Sequence, residues 1–230
     1  MNRKIECIEV GAIGTNCWLY ALDEEIAGLQ ACVVIDPGEE ASVIISHLQK
    51  LRLVPVFIFL THGHFDHLAA LPDLIEAFKK GTFGTNQLPK IGIHRLDAHY
   101  LGAAALSHHQ ESMTAAGGSP AYVNALWKPM PDADILFEEG DLAGPFRVLH
   151  LRGHTQGSVA FLDKDNNVLF SGDTLFRGNR GRTDLPGGNE AQILASISRL
   201  LAMDGQIVVC PGHGPPTTLA EESANPWLID

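Results

Sequence analysis

His62, His64, Asp66 and His67 place four metal-competent side chains within six consecutive residues, in the run Thr61-His62-Gly63-His64-Phe65-Asp66-His67. At the end of an extended strand, residues two apart point the same way, so His62 and His64 can converge on one ion. Asp66 and His67 follow as the chain turns and can face a second ion beside the first. Neutral imidazole and carboxylate suit zinc, manganese or ferrous iron at neutral pH. Three more segments repeat the pattern at other predicted strand ends: His154 in Gly153-His154-Thr155-Gln156-Gly157, Asp173 in Ser171-Gly172-Asp173-Thr174, and His213 in Pro211-Gly212-His213-Gly214. Glycines flank each, which lets backbone approach closely. Jointly the four segments predict one site at one edge of the sheets.

The elements that must position these residues are legible in outline. Residues 5–10, 16–22 and 31–35 are rich in β-branched and apolar residues and read as strands broken by turns. Asp36-Pro37-Gly38 ends the third as a turn. Helical spacing follows over 39–51, and 54–60 is a continuous apolar run that suits a strand buried on both faces and feeds directly into the histidines. Residues 68–80 read as a helix with Pro72 early, 90–94 as a strand, and the next stretch as a helix to about Ser107. Between Gln110 and Met130 periodicity weakens, which predicts an irregular loop beside the cleft or at the surface. Strands are then expected over 137–142, 146–151, 158–162 and 168–171, a helix over 189–203, and a last strand over 207–210. Two strand-rich halves carrying helices predict a layered α/β or α+β fold.

The His-x-His-x-Asp-His run, together with His154, Asp173 and His213, resembles the metallo-β-lactamase superfamily across nearly the whole chain. That resemblance implies an α+β fold: an αββα sandwich of two packed mixed sheets with helices on the outer faces, in a single domain spanning residues 1–230. It implies His62, His64 and His154 on one metal, Asp66, His67 and His213 on a second, and Asp173 bridging both. The β-lactamase branch usually lacks a His after the motif Asp and has no bridging Asp, so His67 and Asp173 point towards the glyoxalase II-like branch. Ser171-Gly172-Asp173-Thr174-Leu175-Phe176 and Gly181-Arg182-Thr183-Asp184-Leu185-Pro186-Gly187-Gly188 resemble its short bacterial members. Only 17 residues follow His213, so the helical domain that helps longer relatives hold glutathione is expected to be absent.

The implied activity is hydrolysis of a small-molecule thioester, with glutathione as a candidate thiol, to a carboxylic acid and a thiol, with two divalent ions, most simply zinc, though iron or manganese would also fit. Adjacent divalent cations lower the pKa of a shared water from about 15.7 towards about 7, which would supply a metal-bridging hydroxide at neutral pH. Asp66 and Asp173 are the expected catalytic carboxylates. Asp36 reads either as a partner for a ligand histidine or as a plain turn residue. Arg182 is the candidate to grip a substrate carboxylate, with Arg177 and Arg180 nearby, unless it pairs with Asp184. Tyr122 and Trp127 could wall the cleft. His47, His94, His99, His108, His109 and His150 have no motif around them and read as surface or core histidines.

An iron-dependent persulfide dioxygenase shares the fold and the Gly-Arg-Thr-Asp segment, but uses one iron, and His213 argues for a filled second position. A lactonase, a phosphodiesterase and a metal-binding sensor are further alternatives. A net charge of −11 weighs against nucleic acid. No run of about 18 apolar residues suggests a membrane span, and Glu6 and Glu9 interrupt any leader beginning at Arg3 and Lys4, so the cytoplasm is the expected location. The scattered cysteines Cys7, Cys17, Cys32 and Cys210 read as small buried hydrophobes. No feature of the sequence specifies an oligomeric state.

Overall fold

The computed structural model describes residues 5–85, 87–225 and 228; Arg3 and Lys4 lie outside them. The first sheet is built from β1 (Ile5–Val10), β2 (Thr15–Ile26), β3 (Leu29–Ile35), β4 (Leu53–Phe59), β5 (Lys90–His94) and β6 (Ile135–Phe137), adjacent in that order. Its first three strands run antiparallel and the rest parallel. The parallel connections pass through α1 (Ala41–Leu51), α2 (Leu71–Lys79), α3 (Leu106–Ala115) and α4 (Pro120–Leu126). The second sheet contains β7 (Leu142–Ala143), β8 (Phe146–His150), β9 (Val159–Asp163) and β10 (Val168–Gly172). After a small hairpin, β11 (Leu175–Phe176) and β12 (Asn179–Arg180), and helix α5 (Glu190–Leu201), the chain adds β13 (Val208–Pro211) parallel to β10, then β14 (Thr217–Thr218) and α6 (Leu219–Ser223).

Side-chain alternation shows how the layers are held. On β3, Cys32 and Val34 join the core beneath α1 and α2, while Val33 and Ile35 face the other sheet. On β9, Val159 and Phe161 enter the inter-sheet layer, while Ala160 and Leu162 pack outward under α5, with Ile193, Ile197 and Leu200. This period of two on doubly buried strands gives an αββα sandwich, as the motif resemblance implied. Aromatic rings fill the inter-sheet layer: Phe59 meets Phe137 at 5.2 Å and Phe161 at 5.4 Å between centroids.

Four expectations are corrected. Residues 137–142 are not one strand: Phe137 ends β6 in the first sheet and Leu142 opens β7 in the second. The turn between them, with Gly140 at φ 84°, carries the chain across the sandwich. The stretch after His94 is a 3-10 turn over Arg95–Tyr100, with α3 starting only at Leu106. The 110–130 segment is largely helical. Helix α3 escaped notice because its buried face carries His109 and Ser112 rather than an apolar stripe. Helix α4 hid behind Gly118-Ser119-Pro120, where Ser119 Oγ caps Ala121 N at 3.2 Å and proline takes the first turn. Of the cysteines, Cys17, Cys32 and Cys210 are buried, but Cys7 is exposed.

Phe161 is fully buried in the inter-sheet layer. Phe161→Ala should therefore cost about 3–5 kcal/mol in urea unfolding, whereas Leu142→Ala, at a side chain 75% exposed, should change stability by less than about 0.5 kcal/mol. Equal effects would contradict this packing.

Candidate metal centre

Four strand ends deliver the site. β4 runs through Leu60 into His62 and His64; β8 leads to His154, β10 to Asp173, and β13 to His213. Asn16 and His213 share the same edge, since Asn16 N donates to Gly212 O at 2.7 Å. The seven residues singled out by the sequence are all brought together. Ligand-capable atoms of His62, His64 and His154 lie within 4.8 Å of one another, as do those of Asp66, His67 and His213. Asp173 stands between the two sets: Oδ1 is 3.3 Å from His67 Nε2, and Oδ2 is 3.5 Å from both His154 Nε2 and His213 Nε2.

Each of four imidazoles has its Nδ1 backed by an acceptor, a network that fixes the tautomer and frees Nε2. His62 Nδ1 meets Thr61 Oγ1 at 3.1 Å, and His67 Nδ1 meets Asp36 Oδ2 at 3.0 Å. His154 Nδ1 meets Arg182 O at 2.8 Å, and His213 Nδ1 meets Gly14 O at 3.1 Å. His64 is turned the other way, with Nδ1 only 2.8 Å from His154 Nε2. Two neutral ring nitrogens facing each other at that distance repel unless a proton or cation lies between them. His62 Nε2 and Asp173 Oδ1 are buried without a hydrogen-bond partner. Buried polar atoms are rarely left so, and this donor set fits divalent cations.

Asp36 is the partner of a site histidine, one of the two roles the sequence left open. It is buried at φ 52°, and accepts hydrogen bonds from Thr61 N and Thr61 Oγ1, both at 2.7 Å, as well as backing His67. Its own proximity to His62 and His67 could suggest a third ion-binding group, but those bonds commit its oxygens to supporting the histidines. Asp97 was missed by the sequence reading. Its buried carboxylate accepts from Gly63 N at 3.0 Å, Thr155 Oγ1 at 2.7 Å and Gly157 N at 2.7 Å, tying the His64 turn to the His154 loop. Burial pushes this carboxyl above its usual range, while those hydrogen bonds pull it back.

Burial drives His62 down, with the neighbouring histidines adding to it, and takes His64 to about 3. In the second set burial works the same way but is outweighed. Charges on Asp66, Asp173 and Asp36 hold His67 well above its ordinary value, and hydrogen bonds to Asp173 and Asp66 raise His213 to about 10. Burial alone would raise the Asp66 and Asp173 carboxyls, yet His67 and His213 keep both below the usual range.

A cavity of about 340 Å³ opens over these residues, walled by Ile13, Phe65, Met113 and Leu185 and reached by Asp66, His109 and Arg182. Arg182 forks onto Asp184, with Nε and Nη2 at 2.7 and 2.8 Å from its oxygens. Arg177 is exposed and Tyr122 donates its hydroxyl to Glu39; neither lines the cavity.

Residues 10–213 match the metallo-beta-lactamase superfamily. The chain belongs to it. It is 34% identical to the hydroxyacylglutathione hydrolase GloC of Haemophilus influenzae, over 98% of each chain. The structure of TTHA1623 in a di-iron-bound form superposes with a TM-score of 0.77 at 34% identity, covering 96% of this chain and 99% of that one. BLEG-1, a B3 metallo-β-lactamase, also superposes at 0.77, with 33% identity and 99% and 100% coverage. Membership of this metallo-hydrolase superfamily supports an enzyme, and its fold implies divalent metal ions. No helix among the described residues is long and apolar enough to cross a membrane.

Two predictions follow from this geometry. A Cβ on Gly212 would lie 2.2 Å from Asp173 Oδ1 and 2.8 Å from His67 Cε1. Gly212→Ala should lower metal affinity about 10-fold or more while unfolding as cooperatively as the parent, read by metal titration alongside urea melts; unchanged affinity would contradict the placement of Asp173. His213, raised to about 10, favours its protonated form at pH 7 in the metal-free protein, and His67 is shifted in the same direction. Ligation needs neutral imidazole, so metal addition should release protons, and apparent affinity should climb as pH rises towards about 10. Calorimetry in buffers of different protonation enthalpy checks this; buffer-independent heats would refute it.

Proposed function

We propose that the chain is a metal-dependent thioesterase of glyoxalase II type, converting an S-acyl thiol and water to a carboxylic acid and a free thiol. In this reading His62, His64 and His154 would hold one divalent ion and Asp66, His67 and His213 a second, and these imidazole and carboxylate donors suit zinc, iron or manganese. The observation that carries it is the position of Asp173, whose two oxygens reach both sets of histidines. The likeness to GloC along 98% of each chain supports the thioester over other carbonyl substrates.

Divalent cations in this site would acidify water and polarise a carbonyl. The chain's own residues then do the rest. Asp66 lines the cavity with its carboxyl held below the usual range, so it is ionised at neutral pH and can accept a hydrogen bond that orients an attacking water. Thr15 Oγ1 donates to Asp66 Oδ2 at 3.0 Å and holds it in place. Ile13, Phe65, Met113 and Leu185 receive the substrate's apolar parts and exclude bulk water. Thiolate is a good leaving group, so no strong general acid is required. Arg182 supports the site first through its backbone, as the acceptor for His154. Its guanidinium could receive a substrate carboxylate only by releasing Asp184, an exposed pairing that solvent screens. A small-molecule partner and a cytoplasmic setting belong to this proposal.

Purified protein should carry about two metal ions per chain and hydrolyse S-D-lactoylglutathione. His64→Ala should reduce kcat/KM by about 10³-fold or more. Full activity of His64→Ala or of metal-stripped protein would end the thioesterase reading, as would turnover confined to a β-lactam or to oxygen-consuming persulfide oxidation.

A further inference from the structure

His109 has no place in the mechanism above, yet it lines the same cavity as Asp66 and Asp173. It is 1% exposed, packed against Phe65 at 5.2 Å, Tyr100 at 5.3 Å and Trp127 at 5.7 Å between ring centroids. Phe65 separates His64 from Asp66 in the chain, so the imidazole stands one ring away from the metal-site residues. His109 Nε2 lies 2.9 Å from Tyr100 O. A carbonyl only accepts, so Nε2 carries the proton and Nδ1 is left with a bare lone pair. That Nδ1 is buried with no hydrogen-bond partner, as are His62 Nε2 and Asp173 Oδ1 of the candidate metal centre. Burial also keeps the ring neutral, taking its pKa to about 4.

An unmet acceptor in a mostly apolar wall costs stability unless a ligand meets it. The same face of α3 adds Ser112 and Met113 to the cavity. Met113, four residues on from His109, is an unbranched side chain that can shift to admit a ligand group beside the ring.

We propose that His109 is a specificity-determining residue whose Nδ1 accepts a hydrogen bond from a donor carried by the substrate, either a hydroxyl on the acyl group or an amide N–H on the thiol. This rests on the thioesterase reading. A carboxylate, which only accepts, finds no partner at His109 Nδ1. A site built to meet a donor rejects the analogue that lacks it far more strongly than a merely apolar pocket does.

Two matched substrate pairs separate the sources. S-lactoyl against S-propionyl glutathione removes the acyl hydroxyl. S-lactoyl-N-acetylcysteamine against the S-lactoyl ester of 2-mercaptoethyl acetate replaces the amide N–H by oxygen. The parent protein should favour the donor-bearing member of one pair by at least about tenfold in kcat/KM. His109→Gln keeps a donor for Tyr100 O but loses the acceptor at the Nδ1 position, and should bring that ratio close to one. His109→Asn keeps an acceptor near Nδ1 and should retain part of it. Ratios within one preparation cancel any loss of folded protein. The matching thioethers, which cannot be hydrolysed, should show the same discrimination in equilibrium binding. If thioesters are hydrolysed with no preference within either pair, or if His109→Gln keeps the preference, the role of His109 is refuted and the thioesterase stands. If no thioester is hydrolysed but thioether discrimination is lost in His109→Gln, the contact stands and the thioesterase reading falls. If neither is seen, both fall.

Discussion

The carboxylate of Asp173 stands among imidazoles delivered by three other loops, one oxygen 3.3 Å from His67 and the other 3.5 Å from His154 and His213. Without positive charge in their midst, these carboxylates and lone pairs repel. In the metal-free arrangement the carboxylates of Asp66 and Asp173 shift His67 and His213 towards their protonated forms. The proposed reading answers it with divalent cations. Either way the crowding is a cost that the surrounding fold must hold in place, and much of the molecule serves that end. Asp36 and Asp97, both buried, pin the turns of the His-rich segment from behind, and the backbone carbonyls of Gly14 and Arg182 orient His213 and His154.

The sandwich explains why so few local rules are needed to assemble this crowd. Sheets buried on both faces keep β4 and β10 rigid up to their ends, so the residues just beyond them leave at fixed positions. Glycines then permit approach that other residues would block. A Cβ at Gly63 would fall 2.0 Å from the Tyr100 ring, and one at Gly181 would fall 1.8 Å from Asp173 O. Rigidity in the strands and closeness in the loops together place the side chains.

Much of this was legible in the sequence where cause and effect are local. The apolar run into His62 and the β-branched, apolar run of β3 announce themselves within a few residues, and the ligand-type residues each follow a strand. What escaped depends on distant partners. Asp97 looks like any acid until Gly63, Thr155 and Gly157 surround it, and nothing near residue 97 signals their approach. Helix α3 lacks an apolar stripe because the residues it buries are His109 and Ser112, so periodicity could not find it. His109 was read as an ordinary histidine for the same reason. The split at 137–142 was hidden because Phe137 and Leu142 both look like strand residues, while the turn between them sends them to opposite sheets. Arg182 was singled out for its guanidinium, but its main-chain carbonyl does the closer work.

The central claim is that one carboxylate lies between two divalent ions. X-ray diffraction from crystals of the protein as purified, measured on both sides of the zinc, iron and manganese absorption edges, tests it most directly. The account predicts two anomalous peaks flanking Asp173, one among His62, His64 and His154 and the other among Asp66, His67 and His213. A single peak at full occupancy, or a peak centred on Asp36, would contradict it.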